Sequence, residues 1–266
     1  YGLIQSLRTK AWCFTLEGEH FGMHRMRMRR TMMGLATILG VAELGFFIPY
    51  RYTNTLDAPR ARAPYAELGD LLHNHEEDFR ILLDGMDSFF TALKGITGDS
   101  PPEPRWNQDW FPGLDAAAAY TLVRIAKPKH IVEVGSGHST RFFARAMRDG
   151  EIEGRITAID PHPRASLLGI SNLELFRAPV QELGPQVFDT LNSGDILFVD
   201  SSHVLMPGSD VDFLINRTLP ALPSGVLVHF HDIFLQLLTS LMCCKIDHIS
   251  DFLDCSTTLQ DISRCV

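Results

Sequence analysis

The sequence predicts an α/β protein: a doubly wound, mainly parallel sheet with helices on both faces, preceded by an N-terminal helical extension. Three observations carry this. From Lys129 onward short β-branched runs alternate with amphipathic stretches. One junction reads Ile131-Val132-Glu133-Val134-Gly135-Ser136-Gly137, a strand running into a tight turn and a helix start. Polar, ionisable residues then follow several of the later strands. Repeated strand–helix units give parallel strands covered on both faces, a Rossmann-like layout.

The alternation sets the elements in order. Strands are expected at 130–134, 155–159, 172–176, 195–199 and 225–230. Helices are expected at 139–148, near 162–168, at 180–191 and at 210–219. Ahead of them, Asp115 suits the N-cap of a helix over Ala116–Ala126 that stops before Pro128. Residues 1–112 divide off as the helical extension with an aromatic, proline-rich loop, and 113–266 as the sheet domain.

Within the extension, residues 24–30 are basic and precede an apolar run from Thr31 to Tyr50. A basic flank and about twenty apolar residues is the pattern of a membrane span. Against a span stand Glu43, three glycines (Gly34, Gly40, Gly45) and Pro49, so a buried or interfacial helix is expected instead. Thr53–Pro64 reads as a linker. Ala66–Leu93 then has helical apolar spacing, with His73, His75, Glu76, Glu77 and Asp78 as a solvated face, a metal site there being the sharper alternative. Four prolines bar regular structure over Ser100–Pro112. Its two tryptophans and phenylalanine form either a belt on the core or a lid over the ligand cleft.

Composition narrows the partners. The net charge is −8, and residues 1–30 hold six Lys/Arg against two Glu, so the remainder is more acidic than the whole. An acidic body is unsuited to neutralising the phosphates of nucleic acid or an anionic membrane. The five cysteines include no C-x-x-C pair, which argues against zinc and fits free thiols in a reducing, cytoplasmic compartment. The chain opens on Tyr1, with Met23, Met26 and Met28 as plausible natural starts, so residues 1–22 are expected to be an upstream extension or a fragment edge.

The glycine turn brings the backbone close to a ligand and offers helix N–H groups to it. A dinucleotide fold wants a third glycine where Thr140 stands. An acid two residues before the first glycine suits a cationic amino-acid group instead. On Glu133-Val134-Gly135-Ser136-Gly137 the chain resembles motif I of the class I S-adenosylmethionine-dependent methyltransferases. Asp160, 25 residues beyond Gly135 and just after the second strand, is where a carboxylate accepts from both ribose hydroxyls. The resemblance therefore implies a donor held by Glu133, Gly135, Ser136, Gly137 and Asp160, with Val180 over the adenine and Gln181 at its edge.

Asp200-Ser201-Ser202-His203 follows the fourth strand and His231-Asp232 the fifth. Two carboxylates at the ends of adjacent strands are hard ligands for Mg²⁺ or a similar ion. A histidine beside them suits a general base. This constellation resembles the metal-dependent O-methyltransferases, in which an acid after the fourth strand binds metal and a Lys or His three residues later is the base. Asp200 and His203 match that spacing, whereas His231 replaces one acid of the family's pair. The implied metal ligands are Asp200, Asp232 and His231. The implied catalytic residues are His203 and Asp200. Asp200 could instead be an acid near the sulfonium, and His203 could merely order its loop. His229 is expected to be a packed histidine. After Asp232 the resemblance fades, and the tail is expected to be divergent or altered by a shifted reading frame.

The resulting expectation is methyl transfer from S-adenosylmethionine to a hydroxyl of a small polar molecule, by a possible homo-oligomer. Its rivals are an NAD-dependent oxidoreductase and a catalytically inactive fold that binds a partner.

Overall fold

A computed structural model describes residues 28–46, 51–55 and 66–232. The five cysteines, the proposed upstream extension 1–22, most of the linker and the tail from 233 lie outside the described residues. The chain divides into two compact units, 1–62 and 63–266. The boundary expected at 112/113 falls inside the second.

In the first unit, α1 spans 28–38. The chain then turns at Gly40, whose φ is +66°, and Thr37 Oγ1 accepts from Leu44 N at 3.2 Å. Glu43 thus lies past the helix end. The eleven described helical residues cover about 16 Å, roughly half a bilayer core. No helix among the described residues is long and apolar enough to cross a membrane.

The second unit begins with three helices where one was expected: α2 (Ala66–His73), α3 (Glu76–Ser88) and α4 (Phe90–Lys94). The breaks fall at Asn74-His75 and at Phe89. The polar face behaves as expected, exposed and locally paired, with His73 on Glu76 and His75 on Asp78. The proline-rich loop follows, then α5 (Gly113–Ala126). Lys127, at φ 49°, closes α5 in the left-handed conformation just before Pro128.

Five strands form the sheet: β1 (His130–Val134), β2 (Arg155–Ile159), β3 (Leu173–Phe176), β4 (Ile196–Val199) and β5 (Leu227–Phe230). Their order is β3-β2-β1-β4-β5, and every pairing is parallel. The expected strands sit within two residues of these. The order reverses between β1 and β4, so the ligand crevice belongs at their carboxyl ends.

Period-2 alternation sends successive residues to opposite faces. Ile131, Ile156, Ile196 and Phe198 pack under α5 and α6 (His138–Asp149), against Tyr120, Val123, Phe142 and Phe143. Val132, Val134, Leu197 and Val199 meet Val180, Phe188, Leu191 and Phe213 on the other face. Each wholly buried aromatic ring contributes roughly 2–3 kcal/mol.

Of the expected helices, one is absent, one is shorter and one changes type along its length. The segment 162–168 is irregular. Pro161 and Pro163 interrupt it, and buried Arg141 pins it by donating twice to the Ser166 carbonyl, at 2.9 and 2.6 Å. The helix expected at 180–191 ends after α7 (Val180–Leu183), because Gly184 at φ +77° and Pro185 turn the chain into a 3₁₀ segment. The helix expected at 210–219 begins as α8 (Asp210–Phe213), widens to a π-helical stretch over Leu214–Thr218, and ends in a short 3₁₀ turn containing Pro220.

Candidate active site

The glycine turn after β1 is dictated by a close approach. Gly135 has φ +84°, and a β-carbon there would stand 1.9 Å from the backbone oxygen of Asp200. Only glycine lets β1 and the end of β4 meet this closely. Ser136 follows, its N–H and hydroxyl donating to Asp160 Oδ2 at 2.7 and 3.1 Å. Asp160 Oδ1 accepts from His162 N at 2.7 Å. Oδ1 keeps a lone pair free beyond this bond, whereas Oδ2 already accepts twice, so a ligand hydroxyl there would take the place of the Ser136 hydroxyl.

A cleft of about 550 Å³ opens over the switch point. Gly135, Ser136, Asp160, Val180, Gln181 and Asp200 all line it, with Arg164, Ser202 and Asp210. Asp210 accepts from Ser202 N at 2.8 Å and from its hydroxyl at 2.5 Å, which orders the loop after β4.

Glu133 is placed differently from the expectation. It shares a sheet face with Ile131, so its side chain points under α6 and is wholly buried. Its carboxylate accepts from Ser139 Oγ and Thr140 Oγ1, both at 2.5 Å. Thr140 Oγ1 in turn accepts from Gly137 N at 3.0 Å. Burial pushes Glu133 up to about 8, against the pull of the two hydroxyls. The acid thus ties the helix start to the strand and lies outside the cleft lining, as does Gly137.

Asp200, His203, His231 and Asp232 converge beside the cleft. Asp200 Oδ1 is 3.3 Å from His203 Nε2 and 3.5 Å from His231 Nδ1. Asp232 approaches His231 Nδ1 at 3.6 Å and His203 Nε2 at 3.9 Å. His203 and Asp232 both take left-handed backbone, at φ 58° and 56°. Such non-glycine positions cost on the order of 1 kcal/mol each and gather at functional sites. Burial would raise Asp200, but the imidazoles of His231 and His203 hold it below the usual carboxylate range. His231 loses by burial and gains more from Asp115 and Asp200, ending up at about 10. His229 is packed edge-on against Phe198 at 4.8 Å, and burial lowers it.

Asp115 is the residue sequence reasoning misplaced. The helix starts two residues before it, with Pro112 at the N-cap. Its Oδ2 instead lies 3.3 Å from His231 Nε2, across 116 positions of sequence. No local signal marks such a contact. The aromatic loop divides its roles. Trp106 and Phe111 pack on Phe142 as a belt, while Trp110 is 58% exposed. Its ring lies 4.2 Å beneath the Arg164 guanidinium at the cleft rim.

Residues 132–233 match the methyltransferase domain family. The matched segment includes the glycine turn, most of the sheet and the residues that converge after β4 and β5. The chain is 33% identical over 97 residues to an uncharacterised protein of Archaeoglobus fulgidus, covering 34% of this chain and 43% of that protein. It thus spans less than half the length of that curated relative. Among solved structures, the chain is similar to the SAH-bound methyltransferase PaMTH1 of Podospora anserina. That likeness has a TM-score of 0.32 and 15% identity, over 70% of this chain and 73% of that one.

Proposed function

We propose that this methyltransferase domain moves a methyl group from S-adenosylmethionine to a hydroxyl of a small polar acceptor. The observation that carries the reading is one continuous site at the switch point. A cleft lined by Gly135, Ser136, Asp160, Val180 and Gln181 ends on Asp200, beside His203, His231 and Asp232. Asp160 would accept the ribose hydroxyls, Val180 would cover the adenine and Gln181 would meet its edge. Ser136 keeps the Asp160 carboxylate aimed into the cleft. The bound donor supplies an electrophilic methyl carbon on a sulfonium.

The residues present also fit a divalent ion. Asp200, His231 and Asp232 offer ligand atoms within 4.8 Å of one another, and His231 Nδ1 is buried without a hydrogen-bond partner. These three would hold the ion, which lowers the pKa of a coordinated hydroxyl. His203 Nε2, on the same carboxylates, would take the hydroxyl proton. The acceptor oxygen forms its bond to the methyl carbon as the carbon–sulfur pair returns to sulfur. The protein's task is alignment and deprotonation.

The test is calorimetry with S-adenosylhomocysteine. The wild type should bind it, and Asp160→Ala should weaken binding about 100-fold, as expected for two lost hydrogen bonds to a carboxylate. Unchanged affinity in a folded variant would overturn the reading.

A further inference from the structure

His231 is 4% exposed, yet its two nitrogens have different company. Nε2 faces Asp115 Oδ2 at 3.3 Å. Nδ1 has no hydrogen-bond partner and faces Asp200 Oδ1 and Asp232 Oδ1 at 3.5 and 3.6 Å. The ring cannot turn to share them. Phe111 packs on it with centroids 5.1 Å apart, and Phe198 lies behind at 6.2 Å. Asp115 and Phe111 both come from the chain just ahead of β1, at the start of α5. That region contributes nothing to the lining of the nucleoside cleft.

An imidazole with one nitrogen on a carboxylate and the other aimed at two further carboxylates has the form of a metal ligand with its orienting partner. A carboxylate on the far nitrogen takes the ring proton there, which fixes the tautomer and leaves the near nitrogen's lone pair free. We infer that Asp115 is a positioning residue. It keeps a proton on Nε2 of His231, so that a divalent cation drawn to Asp200 and Asp232 displaces the proton from Nδ1 and takes that nitrogen as its ligand. This rests on the metal reading given above and adds to it the residue that makes the histidine a ligand. One nitrogen beside carboxylate oxygens suits Mn²⁺ or another first-row ion at least as well as Mg²⁺.

Mn²⁺ is therefore the probe. Pulsed electron paramagnetic resonance of Mn²⁺ bound to the wild type should show coupling to one imidazole ¹⁴N, and His231→Gln should abolish it. Asp115→Ala should lose that coupling and weaken Mn²⁺ about 10- to 100-fold. S-adenosylhomocysteine affinity, which reports the fold and the nucleoside cleft, should stay within threefold. Asp115→Asn, whose amide oxygen can still accept from Nε2–H, should keep the coupling. Asp115→Leu, of similar size, replaces the alanine variant if that one does not fold. Retained ¹⁴N coupling and affinity in Asp115→Ala would overturn the inference and leave the metal reading standing. A wild type that binds no Mn²⁺, or binds it without ¹⁴N coupling, would overturn the metal ligation of His231 and this inference with it.

Discussion

Glu133 and Asp200 sit at the carboxyl ends of neighbouring strands, and the protein treats them in opposite ways. Glu133 lies opposite Phe198 in the β1–β4 register, two residues short of Asp200. Both are acids withdrawn from water. Glu133 has only hydroxyl partners, Ser139 and Thr140, and burial drives it up to about 8. Asp200 has two imidazoles, and they hold it below the usual range in spite of burial. The two hydroxyls leave the loss of solvation dominant at Glu133, whereas the hydrogen bonds and field of the His231 and His203 imidazoles outweigh it at Asp200. So the neutral acid fastens the start of α6, and the charged one is kept for the cleft.

The two regions meet most tightly at Gly135, and breaking that contact should have the largest effect. Gly135→Ala puts a methyl group 1.9 Å from the Asp200 carbonyl oxygen at a φ of +84°. The obstacle is backbone, so β1 and β4 must separate. A loss of more than about 3 kcal/mol is expected, combining overpacking with left-handed strain. Urea unfolding reads it directly. A loss below 1 kcal/mol would mean the turn can relax and the contact does not set the cleft.

The next effect tests the neutral acid itself. With its pKa raised from 4.5 to about 8, folded Glu133 holds a proton that the unfolded chain releases. The contribution is fully present below the unfolded pKa and is lost as pH rises through the folded one. Wild-type stability should therefore fall between about pH 5 and 8. Glu133→Gln keeps the shape of the protonated acid and removes the ionisation, so its stability relative to wild type should rise over that window. At about 1.4 kcal/mol per pKa unit the gain is a few kcal/mol at most. Unfolding free energies at pH 5, 6, 7 and 8 give the slope. A constant difference would show that Glu133 is ionised in the folded state as well.

What the sequence showed of this arrangement follows from how local each signal is. The strands were legible because β-branched runs and the glycine turn are short-range features, and Gly135 marks its own backbone requirement. The helices after β2 and β3 were misread where prolines and Gly184-Pro185 override an apolar count. Glu133 was expected among the donor ligands. Strand parity turns it under α6 instead, and parity is visible only once the covering helix is known. Trp106 and Trp110 are four residues apart in one loop, yet one is packed on Phe142 and the other lies on Arg164. Composition does not separate them. The contact between Asp115 and His231 depends on where α5 crosses the sheet, and nothing near either residue announces it.

The smallest effect separates the two hydroxyls that hold Glu133. Ser139 Oγ donates to Oε1 and is among the bonds that favour the ionised form. Its removal in Ser139→Ala should cost about 1 kcal/mol and push Glu133 further up, moving the stability slope to higher pH. Thr140→Ala should cost more. Thr140 Oγ1 also accepts from Gly137 N at 3.0 Å, so its loss leaves a backbone donor at the helix start unpaired. Chemical denaturation of the two variants across pH distinguishes the contributions. Equal losses would mean that the capping bond carries no weight beside the carboxylate. A Ser139→Ala slope shifted to lower pH would mean that the serine stabilises the neutral acid, contrary to the assignment made for it.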